Sequence, residues 1–198
     1  MIRRVVLATR NPAKLAELRR ILAEDVDVAD VELVGADEVD LPPVDETGTT
    51  FEENALLKAW SAVEACGLPA IADDSGLVVD ALEGEPGVRS ARYAGTPGDD
   101  AANLQLVLER LHDKPGRSGH FVCAAALVAP DGREWTTEGT IEGHIVDGPR
   151  GEAGFGYDPV FQPLGELRTT AEMEPAEKDA ISHRGKALQA LRAALLEL

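Results

Sequence analysis

The chain reads as an α/β protein, and two observations predict it. Apolar runs of strand length alternate with stretches whose apolar residues recur every three to four positions, and Gly, Pro, Asn or Asp marks nearly every junction. With 198 residues and no repeat, linker or low-complexity tract, one domain covering residues 1–198 is expected, large enough to hold a core without covalent staples.

Taken in order, Val5 to Ala8 is a short apolar strand that runs directly into Thr9-Arg10-Asn11-Pro12-Ala13-Lys14. Asn11 suits a helix N-cap and Pro12 the first helical position, with Leu15, Leu18, Ile21 and Leu22 as the buried stripe of the helix that follows. Such a strand, turn and helix start can bind an anion through free N–H groups and the positive end of the helix dipole, here beside Thr9, Asn11 and Lys14. An ordinary capped helix with a solvated lysine also fits, and the glycines of a P-loop are missing.

Val31 to Val34 is a second strand, after which an acidic loop with Pro42-Pro43 leads to Asp45-Glu46-Thr47-Gly48. A long helix is predicted from near Thr50, because Thr50-x-x-Glu53 has the capping-box pattern and Phe51, Ala55, Leu56, Ala59, Trp60 and Val63 supply an apolar face. Gly67 and Pro69 end it. Glu53 therefore reads as a cap. Glu46 can either meet the exit of the next strand or remain a solvated loop acid.

That strand is Ala70 to Ala72, with Asp73-Asp74 at its exit, Ser75-Gly76 as the predicted turn and Leu77 to Val79 extended again. Neighbouring strand side chains point to opposite faces, so only one of the two aspartates is expected to work in a site unless the chain bends. The alternative is a turn whose carboxylates bond local amides.

Gly84 to Gly95 reads as a loop with Arg89 and Arg92, and Asp99 to Leu111 as a helix with Leu104, Val107, Leu108 and Leu111 inward. Phe121 to Ala129 and Glu134 to Ile145 are predicted strands joined through Pro130-Asp131-Gly132-Arg133 as a hairpin. Gly148 to Pro159 holds four glycines and two aromatics, which allows close backbone approach to a flat ligand and stacking on a base. A Gly-rich turn before a Val160-Phe161 strand needs no ligand. Glu177-Lys178 and Ser182 to Lys186 then precede a terminal helix with Leu188, Leu191, Leu195 and Leu198 on one side.

Formal net charge is -17, which argues against a nucleic-acid polymer as partner. Cys66 and Cys123 form no C-x-x-C and read as reduced thiols, and His112, His120, His144 and His183 lack zinc spacing. The apolar stretch after Arg3-Arg4 is too short for a signal peptide, and the run Phe121 to Ala129 is too short to span a bilayer. A cytoplasmic protein without membrane partners is expected.

Five segments together resemble one family. They are Thr9-Arg10-Asn11-x-x-Lys14, Glu46-Thr47-Gly48-x-Thr50-Phe51-x-Glu53-Asn54-Ala55, Ala72-Asp73-Asp74-Ser75-Gly76-Leu77, Gly154-Phe155-Gly156-Tyr157-Asp158-Pro159 and Ser182-His183-Arg184-Gly185. In this order and spacing the chain resembles the inosine triphosphate pyrophosphatase family. The resemblance implies an elongated mixed twisted sheet flanked by helices, two lobes around a central cleft, and a homodimer. It also implies magnesium-dependent hydrolysis of XTP, ITP and dITP to the monophosphate and pyrophosphate. By the same resemblance Thr9, Arg10, Asn11, Pro12, Ala13 and Lys14 would carry the triphosphate, with Lys178 as a further cationic contact. Asp74 would hold Mg2+ and accept a proton, Glu46 would be the second metal carboxylate, and Ser75 would touch substrate. Phe155, Gly156, Tyr157, Asp158, His183 and Arg184 would take the base and sugar. Arg10 departs from the small or amide residue that many relatives carry there.

The residue chemistry suits that reading. Magnesium prefers oxygen ligands and commonly takes only one or two protein carboxylates. An arginine at position 184 can donate to the keto oxygen of hypoxanthine or xanthine, where adenine presents an amino group. Two other readings compete. An aspartyl-phosphate phosphatase calls for Asp-x-Asp, which adjacent Asp73-Asp74 does not supply, and a nucleotide sensor without turnover has no use for the intact carboxylate set.

Overall fold

The computed structural model describes residues 3–23 and 31–198. Its elements are β1 (Arg3–Leu7), α1 (Pro12–Ala23), β2 (Val31–Gly35), α2 (Phe51–Cys66), β3 (Ala70–Val79), α3 (Asp100–Leu111), β4 (Ser118–Val128), β5 (Glu134–Ile145), β6 (Phe161–Pro163), α4 (Pro175–Ile181) and α5 (His183–Leu196). The six strands form one sheet in the order β2-β1-β3-β4-β5-β6. β1 pairs parallel with β2 and β3, whereas β5 pairs antiparallel with β6, so the sheet is mixed and the expected α/β class is observed. By compactness the chain divides into two units, Met1–Asp74 with Cys123–Gly139 and Arg184–Leu198, and Ser75–Val122 with Thr140–His183.

In the first unit both faces of the sheet are covered, which explains why Val5, Val6 and Leu7 are all buried without alternation. Val5, Leu7, Ile71, Cys123 and Leu127 pack on one face against Leu18 and Leu22 of α1 and Leu188, Leu191 and Leu195 of α5. Val6, Ala70, Ala72, Ala124 and Ala126 pack on the other against Ala55, Ala59 and Val63 of α2. Small residues on both sides there let helix and sheet approach closely. The period of two along β3 thus decides which helices each side chain meets.

The second unit has its own core, in which Leu77 and Val79 meet Leu104, Val107 and Leu111 of α3 together with Phe121, Ile145, Tyr157 and Phe161. Phe121 packs edge-on against Phe161 with ring centroids 4.6 Å apart. Among the described residues, no helix is long and apolar enough to cross a membrane.

The structure corrects two expectations. Ser75-Gly76 is not a turn, because β3 continues unbroken from Ala70 to Val79. β3 lies between β1 and β4, and pairing on both sides outweighs a local turn preference. Lys178 lies within a short helix of its own, α4, and the terminal helix starts earlier than predicted, so that His183, Arg184, Gly185 and Lys186, expected ahead of it, form its first turn. The signal for α4 was present in Glu174-Pro175-x-Glu177, where Pro175 begins that helix and Glu174 and Glu177 cap reciprocally.

Candidate active site

Alternation along β3 sends Asp73 and Asp74 to opposite faces of the sheet, and both are buried, 2% and 6% exposed. Asp74 faces α2. Thr50 starts that helix as the predicted N-cap, its hydroxyl accepting the Glu53 N–H at 3.1 Å while the Glu53 carboxylate accepts the Thr50 N–H at 3.2 Å. One turn in, Asn54 and Lys58 stand four residues apart on one side of the helix. Asn54 Nδ2 donates to Asp74 Oδ2 at 3.1 Å, and Asn54 Oδ1 accepts the Gly48 N–H at 2.8 Å, so a single amide links Asp74 to the Glu46 loop. Gly48 is required here, since a Cβ would stand 2.6 Å from Asn54 Oδ1.

Lys58 Nζ reaches Glu46 Oε1 at 2.7 Å and Asp74 Oδ1 at 3.3 Å. Two carboxylates thus converge on one cation. Burial pushes the Asp74 carboxyl above its ordinary value, with Lys58 and Lys14 opposing and Glu46 adding to the rise. Burial would lower Lys58, but Asp74, Asp73 and Glu46 outweigh it and keep the ammonium charged.

Asp73 faces α1 and α5. Its Oδ2 accepts from Lys14 Nζ at 3.0 Å and from Arg184 Nε at 3.2 Å. Arg184 Nη1 donates in turn to Glu17, one turn beyond Lys14 on α1, and the guanidinium is only 2% exposed. Charges therefore alternate around Lys14, Asp73, Arg184 and Glu17. Burial alone would raise the Asp73 carboxyl, but Lys14, Arg184 and Lys58 hold it well below the usual carboxylate range. Cys123, buried beside Asp73, has its thiol pushed up to about 12, chiefly by burial.

The turn from Thr9 to Lys14 is built as predicted, with one difference. Asn11 Oδ1 accepts the N–H groups of Ala13 at 2.9 Å and Lys14 at 3.2 Å, and Thr9 Oγ1 accepts that of Asn11 at 3.3 Å. The helix start is capped by Asn11, as its sequence predicts, so the amides of Ala13 and Lys14 are not the open donors that the anion-site reading needs. Pro12 is exposed, Ser75 is half-buried in β3, and Arg10 donates to the Leu41 carbonyl.

In the second unit, Asp158 organises the glycine-rich segment. Its Oδ2 accepts the Phe155 N–H at 2.9 Å and Lys178 Nζ at 2.6 Å, and its Oδ1 accepts the Thr170 hydroxyl at 2.8 Å. Gly154 has φ 77°, and a Cβ there would lie 2.1 Å from Asp158 Oδ2. Lys178 Nζ stands 5.2 Å from the centre of the Phe155 ring. Gly156 N–H donates to Asp100 at 2.8 Å, and the buried Tyr157 hydroxyl donates to the Ser90 carbonyl at 2.8 Å. His183 lies flat on Phe121, centroids 4.7 Å apart and planes 10° apart.

Among the described residues no group of three or more His, Cys, Asp or Glu side chains is gathered as a metal cage. Magnesium needs less. Glu46 and Asp74 present hard oxygen donors to one shared cation, which is the donor set that suits it.

The Ham1 family model matches residues 5–194, running through both units. The chain belongs to the Ham1 family. A dITP/XTP pyrophosphatase of Streptomyces coelicolor is 56% identical over 198 residues, 98% of each chain. One of Nocardia farcinica is 56% identical over 98% of this chain and 96% of its own. Among solved structures, a Ham1 protein from Coxiella burnetii superposes with a TM-score of 0.87 at 44% identity, covering 99% of this chain and all of that one. A nucleoside-triphosphatase described as a dITP/XTP pyrophosphatase from Mycobacterium abscessus gives 0.76 at 53% identity, covering 95% and 97%.

Sequence reasoning assigned no role to three residues of this Ham1 chain that the geometry brings forward. Asn54 and Lys58 were legible as polar positions four apart on an otherwise apolar helix face. Glu17 follows Lys14 by three on α1, which places both on one side, but nothing local announces a buried arginine as its partner.

Proposed function

We propose that this Ham1 chain is a dITP/XTP pyrophosphatase, a cytoplasmic homodimer that hydrolyses XTP, dITP and ITP to the monophosphate and pyrophosphate. The observation that carries the reading is the convergence of Glu46 and Asp74 on one cation, in a chain 56% identical to dITP/XTP pyrophosphatases over nearly its whole length.

Glu46 and Asp74 would hold Mg2+, which when bound neutralises charge on the phosphoryl oxygens. The Asp74 carboxylate accepts the proton of the attacking water, a task suited to a carboxyl raised by burial, and Asn54 fixes its orientation at 3.1 Å. Lys58 and Lys14 offer cationic donors to the triphosphate, and Asp73 keeps Lys14 in place. Thr9 to Ala13 and Ser75 complete the phosphate side. Phe155, Gly156, Tyr157, Asp158 and His183 take base and sugar, with the Phe155 face for stacking, and Lys178 is the further cationic contact of the triphosphate. Arg184 is bonded to two carboxylates, Glu17 and Asp73, so its contact with a keto oxygen rests in this proposal on the resemblance alone.

A panel of XTP, ITP, dITP, GTP and ATP at fixed magnesium, with product identification, tests the reading. Pyrophosphate release from the first three, far faster than from GTP or ATP, is expected. Comparable rates on all five, or orthophosphate as first product, would overturn it.

A further inference from the structure

The segment assigned above to the base is held from outside by α3. Asp99 already caps that helix, its carboxylate accepting the Ala102 N–H at 3.0 Å, so the carboxylate of Asp100 is not needed as a cap. Asp100 Oδ2 instead accepts the Gly156 N–H at 2.8 Å. One turn on, the buried Asn103 accepts the Ala94 N–H at 2.7 Å on Oδ1. Ala94 lies just past the 3-10 helix Gly87–Arg92, in which the Ser90 carbonyl accepts the Tyr157 hydroxyl at 2.8 Å. These contacts close a circuit within the second unit, from α3 to Gly156, along one peptide to Tyr157, across to Ser90, and through Ala94 back to α3.

The circuit fixes what Asp158 leaves unfixed. Asp158 holds the Phe155 N–H at 2.9 Å, and Asp100 holds the next amide, that of Gly156. Gly156 has φ 62°, a conformation that favours glycine but does not by itself fix this residue in place. Charged acceptors on two successive amides fix the peptide planes on both sides of the Phe155 Cα, and with them the direction in which its ring leaves the chain.

We propose that Asp100 is a positioning residue for purine recognition: by holding the Gly156 N–H it sets the tilt of the Phe155 ring, and so the preference for hypoxanthine and xanthine over other purines. The inference rests on the function proposed above and adds to it a residue outside every motif that carries the family resemblance.

The test compares wild type, D100A and D100N for kcat and KM on XTP and GTP, and for inhibition by inosine monophosphate and by pyrophosphate, a probe without a base. D100A is expected to raise KM for XTP and the inhibition constant of inosine monophosphate about tenfold, as loss of a charge-assisted hydrogen bond does. The XTP-over-GTP preference should fall by a similar factor, with pyrophosphate inhibition and kcat within about twofold of wild type. D100N, whose Oδ1 still accepts from Gly156 but without the charge, should recover most of the loss seen in D100A. If D100A is insoluble, D100S, too short to reach Gly156, is read the same way. Unchanged KM and preference in the short variants, or equal weakening of inosine monophosphate and pyrophosphate, would overturn the inference and leave the proposed function standing. A wild type that releases no pyrophosphate from XTP would instead remove the function on which it rests.

Discussion

Asp73 and Asp74, adjacent in sequence, bond to opposite sides of one strand: Asp73 to Lys14 at 3.0 Å and Arg184 at 3.2 Å, Asp74 to Asn54 at 3.1 Å and Lys58 at 3.3 Å. The pleat separates two tasks. Asp73 balances buried cations, whereas Asp74 shares a cation with a second carboxylate.

Asp73→Asn leaves Lys14 and Arg184 without their common anion, and a loss of about 3–5 kcal/mol at pH 7 is expected. The sign with pH follows from a folded-state pKa that is depressed. The stability supplied by ionised Asp73 is fully present above the unfolded value of about 4 and is lost as pH falls below it toward the folded value. The gap between wild type and variant should narrow by about 1.4 kcal/mol per pH unit below about pH 4. Urea unfolding at pH 7 and pH 3 measures it, and a gap independent of pH would remove the ionic role.

Lys58→Met takes away the largest influence that opposes the burial-driven rise of Asp74. In the metal-free protein the Asp74 carboxyl should therefore titrate at higher pH, read from its carboxyl carbon resonance against pH. A titration superposable on that of wild type would show that Lys58 does not govern Asp74.

Thr50→Ala removes the acceptor for the Glu53 N–H and should cost about 1 kcal/mol, a fall in Tm of about 2–4 °C for a chain of this size. Calorimetry reads it directly. No change in Tm would mean that Glu53 caps α2 alone.

Gly154→Ala places a methyl group 2.1 Å from Asp158 Oδ2 at φ 77° and must displace the carboxylate that holds Phe155 and Lys178. Strain of about 1–3 kcal/mol and a raised KM for XTP are expected. A variant with wild-type Tm and KM would contradict the role given to Asp158.

Much of this was legible in the sequence, because local chemistry wrote it. Asn11 and Pro12 begin α1, Thr50 and Glu53 cap α2, and Gly67 ends it at φ 69°. Pleat alternation was enough to separate Asp73 from Asp74. The turn placed at Ser75-Gly76 failed because pairing with strands distant in sequence decides a central strand. By resemblance Arg184 is expected to be a donor for ligand. Its bonds to Glu17, 167 positions away, and to Asp73, 111 away, leave no trace in local sequence. Asp100 was hidden for the same reason, as its partner is the Gly156 amide and an amide carries no side-chain signature.

The most direct test of the account is turnover of XTP by Asp74→Asn at saturating magnesium, read as pyrophosphate released and accompanied by a thermal melt. The isosteric amide oxygen can still accept from Asn54, and Lys58 keeps its bond to Glu46, so the variant should fold, and loss of the proton acceptor should lower kcat by about 10²–10⁴. A folded Asp74→Asn protein that turns over XTP within about threefold of wild type would contradict the account at its centre.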